Sequence, residues 1–199
     1  MAQNTQQALD FFLQNTLVET DKYIGDISRD DLFVAAGLIW DAQSYGGRVH
    51  TTGVGKCEHV ASYIASLLSS TGTPCYFLHT TEAVHGSCGQ LLPGDIVICI
   101  SNSGETFEMK AAVQAIKNNG CNVIAVTGNS ESWLAKQGKV HLFAGVSHEG
   151  GPLNRAPRMS VLAQIIILQA LSIILQEERQ ITVEQYIKWH PGGALGKIE

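Results

Sequence analysis

The stretch Asp95-Ile-Val-Ile-Cys-Ile-Ser101-Asn-Ser-Gly-Glu-Thr106 decides the fold. Its unbroken apolar run from Ile96 to Ile100 marks a strand buried on both faces, because a strand with one wet face would alternate with polar residues. The run ends in a turn rich in hydroxyls, and the segment from Glu105 to Asn118 then reads as a helix. A buried strand that passes through a tight turn into a helix is the repeating unit of a parallel α/β sheet.

Moving outward in both directions, the same alternation recurs. Strands are predicted at 48–52, 75–79, 95–101, 122–127 and 140–144, and helices at 59–70, 105–118 and 131–137. Two helical patterns precede them. The first covers 5–23, with Leu9, Phe12, Leu13, Leu17 and Tyr23 near helical spacing, and the second covers 28–42, where Ser28 and Asp31 can cap the start. A long helix at 157–177 and a shorter one at 183–189 close the chain. The reading is one α/β domain over residues 1–199 with N-terminal helices in 1–45. Its five-stranded parallel sheet carries helices on both faces, as a three-layer, flavodoxin-like arrangement. Such a sheet binds ligands beyond the carboxyl ends of its strands, so the loops at 53–58, 80–89, 101–106, 128–131 and 145–156 are where chemistry is expected.

Composition excludes several partner classes. The formal net charge is −5 and no Lys/Arg-rich run occurs, which argues against nucleic acid and anionic membranes as partners. The N-terminus carries no basic region ahead of a continuous apolar stretch. The longest apolar run, Ile165 to Leu168, is flanked by Gln164 and Gln169, with Ser172 beyond, and reads as too short and polar for a bilayer. Five cysteines without a CxxC pair read as reduced thiols of a cytoplasmic protein.

The turn Ser101-Asn102-Ser103-Gly104-Glu105-Thr106 places three hydroxyls and several backbone N–H groups at the electropositive start of a helix, which is the physics of an anion site. A helix cap needs only one hydroxyl, and Gly104 permits a tight turn and close backbone approach. A second glycine loop, Gly53-Val-Gly55-Lys56, follows the first strand. It fails as a nucleotide-phosphate loop, since His50 and Cys57 stand where glycine and a hydroxyl are required, and Glu58 spoils the dinucleotide pattern. Lys56 is then either a cation facing the pocket or a solvated surface lysine.

Candidate acid–base groups in strand-end loops are Glu82, His85, Glu108, Glu149 and His190. Among them His190 stands out, because Pro191 and two glycines follow it in His190-Pro-Gly-Gly-Ala-Leu-Gly196. The histidines have no metal-ligand spacing, so no metal or other cofactor is expected. Residue chemistry alone stops at a phosphorylated small molecule and a set of groups able to move protons.

The turn at 101–106 resembles the phosphate motif of sugar isomerase (SIS) domains. The ordered set of Gly53-Val-Gly-Lys56, Ser70-Thr-Gly-Thr-Pro74, Glu82-Ala-Val-His-Gly86, Glu149 with Pro152-Leu153 and Ala156-Pro157, and His190 to Gly196 is similar to the bacterial D-arabinose 5-phosphate isomerases. The resemblance runs from about Arg48 to Lys197. It implies interconversion of D-ribulose 5-phosphate and D-arabinose 5-phosphate for 3-deoxy-D-manno-octulosonate, a sugar of lipopolysaccharide and capsule. It further implies Lys56, Glu108, Glu149 and His190 as the catalytic group. Gly55, His85, Ser101, Asn102, Ser103, Gly104 and Thr106 would hold the substrate, in a homotetramer with pockets at subunit interfaces.

Three departures from that pattern stand out. The resembling proteins continue into a pair of CBS domains where this sequence stops at Glu199, so an isomerase-only form is expected. Gly86-Ser-Cys-Gly89 replaces the usual Gly-Asp-Leu-Gly, and Arg158-Met-Ser160 replaces a Ser/Thr cluster. A non-catalytic sugar-phosphate sensor and an SIS isomerase of another sugar phosphate remain as alternatives.

Overall fold

The structure is a computed structural model and describes residues 2–192. Helices α1 (Ala2–Asp26) and α2 (Arg29–Ser44) lead into strand β1 (Val49–Gly53). There follow α3 (Lys56–Ser70), β2 (Cys75–Phe77), α4 (Thr80–Ala83), a 3-10 turn at Ser87–Gln90 and β3 (Ile96–Ile100). The chain continues through α5 (Phe107–Asn118), β4 (Asn122–Thr127), α6 (Trp133–Gln137), β5 (Val140–Phe143), α7 (Met159–Glu178) and α8 (Val183–Trp189).

All strand pairs are parallel, in the order β2-β1-β3-β4-β5. Strand order reverses beside β1, so the crevice between the carboxyl ends of β1 and β3 is the switch point where such folds take ligands. The two central strands are buried at every position. Their side chains alternate between two cores, as the period of a strand requires. Ile96, Ile98 and Ile100 of β3 pack with the residues of α2, α3 and α7. Val97 and Cys99 pack instead with Met109, Ala112, Val113 and Ile116 of α5.

Element types follow the sequence, and the differences have local causes. Ser28 caps α2 as expected, its hydroxyl accepting from the Asp31 amide at 3.2 Å. Helix α3 starts at Lys56 rather than near 59, because Gly55 takes a left-handed φ of 62° that turns the chain into helix at once. The 80–89 loop holds α4 and the 3-10 turn, neither of which has the length to carry a periodic signal. By length and composition α7 is long and apolar enough to cross a membrane, contrary to the sequence expectation. Half of it is buried within the fold, chiefly against α3, α2 and α1. The apolar stripe on α1 is only partly used: Tyr23 is buried, but Leu9, Leu13 and Leu17 are at least half exposed.

At the amino ends of the strands a buried carboxylate ties the sheet to its loops. Asp95 accepts from the Arg48 amide at 2.8 Å and the Leu92 amide at 2.9 Å. It also accepts from the Arg48 guanidinium at 3.1 Å and pairs with His50 Nε2 at 3.0 Å. Burial pushes the Asp95 carboxyl up, but these hydrogen bonds together outweigh it and hold the group below the usual 3.8. Burial likewise depresses His50 below 6.5, more than the neighbouring Asp95 raises it.

Both shifts act in the same direction on stability. The unfolded chain takes up a proton on His50 below about pH 6.5 that the fold resists, so stability falls as pH drops from there. The Asp95 contribution is complete above the ordinary carboxyl value and is lost as pH falls through the lower folded value. Urea midpoints measured against pH should therefore decline in two segments, below about 6.5 and again below about 4. His50→Gln should flatten the first segment. Asp95→Asn should cost about 3 kcal/mol at neutral pH, because it leaves the Arg48 and His50 groups badly paired inside the protein.

Candidate active site

The turn after β3 is built from its own hydroxyls. Ser101 is buried, and its Oγ accepts from the Gly104 amide at 3.2 Å and lies 3.4 Å from Thr106 Oγ1. Ser103 Oγ accepts from the Glu105 amide at 3.2 Å. Gly104 sits at φ 67°, and a Cβ there would stand 2.3 Å from Ser132 Oγ, so the turn requires glycine both for its conformation and for its close approach to α6. Glu105, which looks like a phosphate-loop residue in the sequence, works sideways. Its carboxylate accepts from the Trp133 amide at 2.7 Å and pairs with Lys110 at 2.5 Å, pinning the turn to α6. The Asn102 carbonyl accepts from the Gly128 amide at 2.9 Å, which ties the turn to the loop after β4.

Thr106 is the N-cap residue of α5, yet its side chain makes no capping hydrogen bond. The backbone N–H groups of the first turn of α5 are therefore left without a capping side chain at the mouth of a strand-end crevice. They carry the positive end of the helix dipole, an arrangement suited to a phosphate dianion. Glu108 lies exposed in that same first turn.

Across the switch point, Gly53 pairs in register with Ile100. A Cβ on Gly53 would come within 2.4 Å of the Cys57 carbonyl oxygen, so the chain can fold back tightly into α3 only with glycine there. This turn sets Lys56 at the first residue of α3, exposed at the carboxyl end of β1. Lys56 lines a cavity of about 290 Å³ with His59, Tyr63, Pro157, Val161 and Ile165, so its stem lies between α3 and the start of α7. The end of β1 is braced by two hydroxyls that the sequence reading did not single out. Thr80 Oγ1 bonds the Gly53 carbonyl at 2.5 Å and lies 2.8 Å from Thr52 Oγ1. His85 follows α4 at the carboxyl end of β2, exposed, with its amide donating to the Glu82 carbonyl at 3.0 Å.

Glu149 arrives from the loop after β5. Its amide donates to Asn154 Oδ1 at 2.7 Å. Its Oε2 accepts from the Arg158 amide at 2.6 Å and the Ser160 amide at 3.2 Å, so Glu149 caps α7, a helix whose own N-cap side chain offers no cap. That loop is anchored from α1 by two residues without any motif: Ser147 N donates to the buried Glu19 at 2.9 Å, and the Tyr23 hydroxyl donates to the Phe143 carbonyl at 2.8 Å. Burial raises the Tyr23 phenol, which keeps it a donor.

One chain thus brings Lys56, the 101–106 turn, Glu108, His85 and Glu149 to the carboxyl ends of the strands. His190 is placed elsewhere. It ends α8, stacked on Tyr186 at 4.1 Å between ring centroids, with Nδ1 2.8 Å from the Tyr186 carbonyl. The adjoining Trp189 lines a cavity with Gly72, Pro74, Cys75 and Tyr76, at the amino end of β2, so His190 approaches the opposite end of the sheet. Gly193 to Gly196 of its loop lie outside the described residues.

Fold and turn together define a parallel α/β domain with an anion-suited turn at its switch point. The SIS domain family matches residues 46–174, and the chain belongs to that family. It is 42% identical over 98% of its length to arabinose 5-phosphate isomerase KdsD of Pseudomonas aeruginosa, covering 60% of that protein. It is 38% identical over 91% of its length to the Escherichia coli K12 protein of the same name, covering 53% of it. The chain therefore spans little more than half the length of these relatives. Among solved structures, the Escherichia coli CFT073 protein c3406 in complex with arabinose 5-phosphate superposes with a TM-score of 0.83 at 34% identity, covering 96% of this chain and 100% of that one.

Gly104→Ala should place a methyl group against Ser132 at a left-handed residue, straining the turn by about 2 kcal/mol. Calorimetric titration with inorganic phosphate should show affinity falling at least tenfold, with urea stability reduced by no more than that strain.

Proposed function

We propose that this chain is an aldose–ketose isomerase that interconverts D-ribulose 5-phosphate and D-arabinose 5-phosphate in the cytoplasm, supplying the eight-carbon acid sugar of lipopolysaccharide or capsule. The observation that carries the reading is an uncapped helix start at the switch point, with Lys56 across from it and the Glu149 carboxylate capping α7, whose start lines one cavity with Lys56. Similarity to the arabinose 5-phosphate isomerases, and to a structure bound to arabinose 5-phosphate, supports the choice of substrate.

The chemistry follows from that layout. A phosphate on C5 prevents pyranose closure, so the aldose closes only as a furanose and must open before reaction, whereas the ketose enters open. With the phosphate held by Ser101, Ser103, Thr106 and the first amides of α5, C1 and C2 extend toward Lys56 and Glu149. Glu149 removes the C2 proton of the aldose, the C–H electrons form the enediolate double bond, and the same carboxylate returns the proton to C1. Its Oε2 is held by two backbone amides, so the carboxylate is fixed while its second oxygen serves as base. Lys56 stabilises the charge developing on the substrate oxygens, and Glu108 relays protons between O1 and O2. In the reverse direction, delivery of the proton to one face of C2 makes arabinose rather than ribose.

His190 enters this scheme from a neighbouring subunit of a homotetramer, assisting ring opening or proton transfer at O1 and O2, with His85 near the subunit boundary. Its position away from the crevice of its own chain supports this, as do the exposed Leu17, Phe33 and Ile173 on α1, α2 and α7.

Purified protein, without added metal, should convert ribulose 5-phosphate into arabinose 5-phosphate in an NMR time course. Binding without turnover would favour a sensor instead. Glu149→Gln keeps a carbonyl acceptor for the Arg158 and Ser160 amides but removes the base, so turnover should drop by roughly a thousandfold with little change in KM; near-normal turnover removes the assigned role. Lys56→Ala and His190→Ala should each be inactive alone and recover turnover when mixed under conditions of subunit exchange. No recovery would place His190 outside a shared site.

A further inference from the structure

Helix α7 carries two polar side chains that the core should not tolerate. Ser160 and Gln164 are fully buried, stand one helical turn apart, and so share a face. The Ser160 hydroxyl has no hydrogen-bond partner among the described residues, and the Gln164 carboxamide has none of good geometry, its polar neighbour being the Cys57 thiol. Groups of this kind destabilise a fold, and an apolar side chain of similar shape would be better tolerated.

Their surroundings suggest why they are kept. The Ser160 amide donates to Glu149 Oε2 at 3.2 Å, so this face of α7 begins on the proposed base. One turn on, Gln164 faces the thiol of Cys57, and that thiol also faces the backbone N–H of Asn102 in the phosphate turn. Cys57 directly follows Lys56. A single helix face therefore adjoins the base, the residue after the proposed cation, and the anion turn, groups delivered by three different strand-end loops. Burial raises the Cys57 thiol, so it is a neutral donor and acceptor rather than a nucleophile.

We infer that Gln164, with Ser160, is a positioning residue: it holds the Lys56–Cys57 turn and the Asn102 amide at the spacing that lets phosphate binding and proton transfer occur on one substrate. It acts through Cys57 and Asn102 and does not touch the reacting carbons. The inference rests on the proposed isomerase reading for its kinetic readout, but not for its structural one.

The test compares wild-type protein with Gln164→Leu and Gln164→Met, and with Ser160→Ala. Thermal melts without ligand should give midpoints equal to or above wild type, because poorly paired buried polar groups have been removed. Turnover of ribulose 5-phosphate should nonetheless fall roughly tenfold to a hundredfold, mainly in kcat for Gln164→Met and in both kcat and KM for Gln164→Leu. Hydrogen exchange with inorganic phosphate present gives a readout independent of turnover. The amides of 102–106 should lose protection in both Gln164 variants while those of β3 and β4 keep it. Lowered melting with a proportionate loss of activity would overturn the proposal, since Gln164 would then be structural. Raised melting with unchanged turnover and unchanged exchange would overturn it too. An inactive wild type whose 102–106 amides still depend on Gln164 would remove the isomerase reading and leave the positioning role standing.

Discussion

The site depends on the lateral pairing of β1 with β3. These strands are not neighbours in sequence, and their register sets Gly53 beside Ile100. The two turns that follow must therefore emerge together, one leading into Lys56 and the other into Ser101. Every other strand-end group is referenced to that pair: His85 through β2, the Asn102–Gly128 bond through β4, and Glu149 through β5 and α7. The isoleucines of β3 fix this register from below. A one-residue slip would exchange its two cores and set every β3 side chain against the wrong helical layer.

The sheet was legible because β3 is apolar throughout, β4 is apolar between its end residues, and its turns hold glycine where the backbone needs it. The hydroxyl-rich turn at 101–106 was legible for a related reason. Three hydroxyls and a glycine between a buried strand and a helix form a local signal, and the uncapped Thr106 agrees with it. The four-residue α4 was not legible, because one turn of helix has no periodicity to read. Nor was the role of Thr80, which is one threonine among many until folding sets it on the Gly53 carbonyl.

Glu149, Glu19 and Gln164 mark the limit of local reading. In sequence Glu149 is an acid in a glycine-rich loop; in the fold it also terminates α7. Glu19 looks like an ordinary helix-surface carboxylate, yet it is buried and holds the loop that delivers Glu149. Gln164 reads only as an interruption of an apolar helix. Each acquires its meaning from a contact made through the fold, which no pattern of neighbouring residues contains. His190 teaches the reverse: its loop composition singles it out, while its own chain sets it away from the crevice.

The double use of Glu149 has a consequence for how this protein can change over time. One carboxylate closes the first turn of a core helix and, in the proposed reaction, is also the base. Most changes at this position would be penalised twice, through foldedness and through chemistry, and only a carboxamide would keep the helix closed while losing the base. Diversification of such a scaffold is then channelled into the other rims of the crevice, the segments after β2 and β4, where a side chain can be exchanged without unravelling a helix.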